Sequence, residues 1–100
     1  MEKLVAYKRM PVWNKDTMPE AVQKKHNTKV GTWGKITVLK GILKFIELTE
    51  EGEVIAEHLF KAGADNPMAQ PQAWHRVEAA TEDVEWYLEF YCKAEDYFPK

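Results

Sequence analysis

The chain has 100 residues, enough for one hydrophobic core and too few for two, and is read as one domain over residues 1–100. Hydrophobic residues at 45% and charged residues at 30% exclude a disordered chain. The formal net charge is −2 and the one dense basic run is Lys24-Lys25-His26, which leaves no basic face for nucleic acid.

In chain order, Met1–Met10 has no apolar run behind its charges and does not read as a signal peptide. No later stretch approaches the roughly 20 apolar residues of a membrane helix. Pro19 to Lys25 gives a helical turn or two, with Pro19 and Glu20 as a start signal. Trp33 to Leu39 then alternates as a strand, with Ile36 and Val38 on one side. Gly41 separates it from a second strand, Ile42 to Leu48, and Glu51-Gly52 forms a hairpin turn into a third, Val54 to Phe60. The segment from Lys61 to Gln72 holds Gly63, Pro67 and Pro71 and cannot be a central strand. Trp74 to Ala79 is a further strand. From Val84 to Cys92 the alternation is clean: Val84, Trp86, Leu88, Phe90 and Cys92 share the face expected in the core. Glu95 to Phe98 forms a short terminal turn. About seven short strands with regular turns predict an all-β sandwich or barrel. Cys92 is the single cysteine, so no internal disulfide forms and a reducing, cytoplasmic setting is expected. Its place beside Leu88 and Phe90 predicts a buried, unreactive thiol.

Three segments carry a resemblance. They are Met10-Pro11-Val12-Trp13-Asn14-Lys15, the run from His26 to Gly41 (HNTKVGTWGKITVLKG) and Pro71-Gln72-Ala73-Trp74-His75-Arg76-Val77-Glu78-Ala79. Together they resemble the TehB and YeaR family of cupin-type domains, which stand alone or form the N-terminal part of a tellurite-resistance methyltransferase. The resemblance implies a single antiparallel double-stranded β-helix, jelly-roll-like, and a role in tellurite or related oxyanion resistance. Against cupins at large the match is partial. With Gly41 as the closing glycine of the first motif, His26 lies near its first His, Thr28 stands for the second, and Gly34 falls about where the Glu belongs. Pro71, Ala73 and His75 echo the second motif with one residue fewer. At most two of the usual metal ligands are present. The methyltransferase part has no counterpart in these 100 residues, and no S-adenosylmethionine site is expected in the chain.

The candidate site is therefore His26 with His75, since imidazole suits zinc, nickel or iron and two strands of a small barrel can bring distant residues to one ligand. Glu78, His58 and Glu89 are possible additional ligands. Trp33 and Trp74 flank the two histidines and are expected to wall a pocket. Trp86, alternating with plain core residues, is expected in the core, and Glu50, Glu51 and Glu53 at a solvated turn. Three readings stay open: a non-catalytic domain binding a small molecule, oxyanion or metal; a metal-dependent enzyme acting on a small molecule; and an interaction module, with a homodimer possible.

Overall fold

A computed structural model describes residues 3–97. Seven strands build two antiparallel sheets. They are β1 (Leu4–Arg9), β2 (Trp13–Asn14), β3 (Trp33–Lys40), β4 (Ile42–Leu48), β5 (Val54–Lys61), β6 (Trp74–Ala79) and β7 (Glu85–Lys93). The all-β antiparallel architecture expected from the alternation is the one present. The five strands read individually from the sequence begin and end within one residue of their expected limits. Among the described residues there are also two single-turn helices, α1 (Glu20–Gln23) after Pro19 and α2 (Ala94–Tyr97). Of the expected terminal turn, Phe98 lies outside the described residues. No described helix is long and apolar enough to cross a membrane.

In the first sheet β7 is central. It pairs with β3 along one edge, from Trp33↔Tyr91 to Lys40↔Glu85, and with β1 and β2 in succession along the other. In the second sheet β4 lies between β5 and β6. The chain passes from one sheet to the other at Gly41, whose φ is 68°. A Cβ there would stand 2.3 Å from Thr81 Oγ1, 2.6 Å from Asp83 Oδ1 and 3.1 Å from the Val84 Cα, so only glycine fits this corner.

The alternation decides what lies between the sheets. On β3, Ile36 and Val38 are buried, and they pair with Leu88 and Trp86 of β7. On the facing sheet Leu43, Phe45, Phe60 and Val77 are buried, and the Phe45 and Phe60 rings stack at 5.0 Å. Trp13 meets Trp86 edge to face at 5.2 Å. Val84 and Trp86 are fully buried as expected, at 0% and 1% exposure. Leu88 packs against this core but is only partly buried. Phe90 is also partly buried, and both border a cavity.

Cys92 differs from expectation. It is half-buried and stands outside the core cluster. The partnership of β3 with β7 ends at Tyr91, so Cys92 runs past the sandwich, pairing only with Val5 of β1. It borders an open cleft with Tyr7, Thr32 and Tyr97.

Candidate functional site

The space between the sheets closes to a cavity of about 110 Å³. Gly34 and Ile36 of β3, His75 and Val77 of β6, and Trp86 and Leu88 of β7 form its walls. Val22 of α1 and the His26–Thr28 segment close one side.

His26 and His75 are brought together by the backbone. The two residues form an isolated antiparallel bridge, His26 N donating to His75 O at 3.0 Å and His75 N to His26 O at 2.9 Å. Their rings meet edge to face with centroids 4.4 Å apart. This bridge extends β6 by one partner strand, which is how positions 26 and 75 become neighbours. The His26 ring sits 2.8 Å from the Lys24 carbonyl through Nδ1. A carbonyl only accepts, so His26 Nδ1 is the donor in this contact.

His75 is 5% exposed, and its Nδ1 has no hydrogen-bond partner. Burial pushes its pKa down from the usual 6.5 to about 4, and the adjacent His26 pushes the same way. The Ala73 backbone and the Glu47 carboxylate pull it up by less. The Ala73 backbone acts on the ring without forming a hydrogen bond of ordinary geometry to Nδ1. His75 is therefore neutral at neutral pH. Trp86 Nε1, on the opposite wall, is likewise buried and without a partner. These are the two such side-chain atoms among the described residues.

The remaining candidates are sorted by strand parity. Glu78 pairs across from Lys44 on the outer face of its sheet and is bonded to Arg76, which holds its carboxyl below the ordinary range. Glu89 pairs across from Lys35 and is 3.2 Å from the Arg9 guanidinium, again outside. His58 shares the inner face with Phe45, but its Nε2 is bonded to Glu47 at 2.6 Å, and the Phe45 ring lies 6.3 Å from His58 and 5.0 Å from His75. Trp33 pairs with Tyr91 and Trp74 with Leu48, one residue out of phase with the inward positions, so neither borders the cavity. Trp33 instead donates from Nε1 to Gln70 at 3.3 Å, and Lys25 lies over the Trp74 ring at 4.8 Å. The aromatic walls are Trp86 and Phe90. Periodicity marked both as inward but could not distinguish a core position from a cavity wall.

A divalent ion tests poorly against this donor set. Zinc sites take three or four protein ligands. Here two imidazoles converge, Gly34 and Thr28 supply neither Glu nor His, and no group of three His, Cys, Asp or Glu able to hold a metal occurs among the described residues. Zinc, nickel or iron at His26 and His75 would have to complete its shell from water or from a bound molecule.

Comparison with known proteins adds relatives. The family model of the TehB-like domain matches residues 8–88. A probable S-adenosyl-L-methionine-dependent methyltransferase, TehB of Haemophilus influenzae strain Rd, is 64% identical over 98 residues, covering 98% of this chain and 34% of that protein. YeaR of Escherichia coli K12 is 26% identical over 89 residues, covering 85% of this chain and 75% of YeaR. The crystal structure of Haemophilus influenzae TehB superposes with a TM-score of 0.91 at 65% identity, over 95% of this chain and 33% of that one. An Escherichia coli K12 protein superposes with a TM-score of 0.83 at 27% identity, over 92% and 93% of the two chains. The chain thus spans about a third of the length of the TehB relatives it matches.

Proposed function

This chain belongs to the TehB-like domain family, and on that premise we propose that it is a cupin-type small-ligand-binding domain serving resistance to tellurite or a related oxyanion. The observation that carries the binding role is the mainly apolar cavity between the sheets, bordered by His26, His75 and Trp86. A molecule seated there covers the apolar wall, while the few polar groups at its border fix orientation. Binding is the role proposed for these residues; among the described residues no group of three His, Cys, Asp or Glu able to hold a metal occurs.

The experiment is a ligand-observed NMR screen of small molecules, repeated on Gly34→Val. Gly34 borders the cavity, and a side chain there points at Leu88, Ala69 and Thr28. Compounds that bind the wild type and lose binding in the filled variant are expected. A set of binders indifferent to Gly34→Val contradicts the proposal.

A further inference from the structure

We propose that β5 is the surface on which two copies of this chain associate. The two β5 strands pair antiparallel across a two-fold axis at Leu59, and the three-stranded sheet continues into one of six strands. No residue of β5 borders the cavity, so this goes beyond the ligand-binding reading and does not rest on it.

The strand is an open edge. β5 is hydrogen-bonded to β4 on one side, and its other side has no strand partner among the described residues. Such an edge presents a row of backbone N–H and C=O groups to a matching strand. The outer face beside it is apolar where a solvated sheet face is expected to be polar. Phe45, Phe60 and Val77 face the core, so Ile46 and Leu48 of β4 face outward, yet they are 1% and 5% exposed. On β5, Ile55 and Leu59 share that outer face by alternation, and the register shift opposite Glu47 and Leu48 brings Val54 onto it as well. Val54, Ile55 and Leu59 are 52%, 64% and 53% exposed.

Charge selects the occupant and the register. A two-fold axis normal to the sheet sets residues of equal parity opposite each other, so the outer faces of both copies stay on one side. Centring the axis on Leu59 sets that leucine against its own counterpart and Glu57 of each chain against Lys61 of the second copy, twice by symmetry. Centring it on Glu57 sets two carboxylates face to face, which is unfavourable. Glu57 lies 3.5 Å from Lys44 of its own chain, while Lys61 makes no ion pair among the described residues. The Leu59 register gives Lys61 a partner at a carboxylate already turned to the outer face. A strand that complements itself in both charge and apolar pattern takes a second copy of this chain as its partner.

The test is sedimentation equilibrium of the 100-residue chain and its variants, with circular dichroism to check that each variant keeps its strands. Glu57, Leu59 and Lys61 are exposed, so the fold is expected to persist. The wild type is expected to be largely dimeric at about 100 µM, as a modest interface allows. Glu57→Lys and Lys61→Glu are each expected to weaken the dimer by about tenfold, because each sets like charges opposite one another twice. Mixed in equal amounts, the two variants are expected to recover dimerisation, because each supplies the charge the other lacks. Leu59→Lys places two ammonium groups on the axis and is expected to be monomeric. A wild type that stays monomeric at about 100 µM overturns the proposal. So does a dimer that survives Leu59→Lys, or a mixture of the two charge variants that associates no better than either alone.

Discussion

His75 and Trp86 stand on opposite sheets and border one cavity, each with a buried ring nitrogen that no described residue hydrogen-bonds. His75 reaches this position on β6 because it shares the inner face with Val77, and Trp86 on β7 because it is paired with Val38.

The first prediction concerns pH. The folded His75 has a pKa near 4 against 6.5 when exposed, so the unfolded chain takes up its proton first as pH falls. The stability contributed by keeping this ring neutral is fully present above pH 6.5 and is lost progressively towards pH 4. At about 1.4 kcal/mol per pKa unit, the loss is on the order of 3 kcal/mol. Urea unfolding of the wild type and His75→Phe at several pH values checks this. The difference between the two profiles should change across pH 4–6.5 and be flat above it. A difference that is flat throughout contradicts the buried neutral imidazole.

Two glycines should respond in opposite directions. At Gly34 a Cβ meets Leu88, Ala69 and Thr28 atoms at 3.5–3.8 Å, ordinary contact, and the backbone is not left-handed. Gly34→Ala should therefore stabilise by about 0.5–1 kcal/mol, through a less flexible unfolded chain and added packing. Gly41→Ala meets Thr81 and Asp83 at distances no Cβ tolerates, with φ of 68°, and should destabilise by about 2–4 kcal/mol. Thermal and denaturant unfolding of the two variants measures both.

Much of this was legible in the sequence. Trp33–Leu39, Ile42–Leu48 and the β7 run announced themselves by period two, and Gly41 and Gly52 marked the turns between strands. β1 and β2 were not read individually. β2 has two residues, too few for a period, and β1 carries a register shift between Ala6 and Lys8 that breaks its alternation. The juxtaposition of His26 and His75 was suggested by motif position, yet it depends on a single backbone bridge that no local pattern encodes. Trp33 and Trp74 are next to the histidines in sequence but stand one residue from inward positions, so parity turns them away from the cavity. Trp86 is core as its alternation predicts, while the lack of a partner at its indole nitrogen shows only once the strands are paired.

The third prediction concerns metal. Two imidazoles without a third protein donor should hold zinc far more weakly than complete structural sites, which bind with apparent energies of about 10–16 kcal/mol. Dialysis against a chelator should leave the unfolding midpoint unchanged, and calorimetric titration with zinc should show no tight stoichiometric step. A nanomolar site abolished by His75→Ala would show that donors beyond the described set complete the shell.

Cys92 provides a fourth. Half-buried beside an open cleft, it should react with Ellman's reagent in the native protein, more slowly than in urea but without requiring global unfolding. A native labelling rate that equals the global unfolding rate would place the thiol in the core after all.

The most direct measurement is a crystal structure of the protein as purified, at a resolution that shows ordered water and small ligands. The account predicts density for a bound molecule within the cavity bordered by His75, Trp86 and Leu88. A space between β3, β6 and β7 closed by side chains, with no such density, would contradict it.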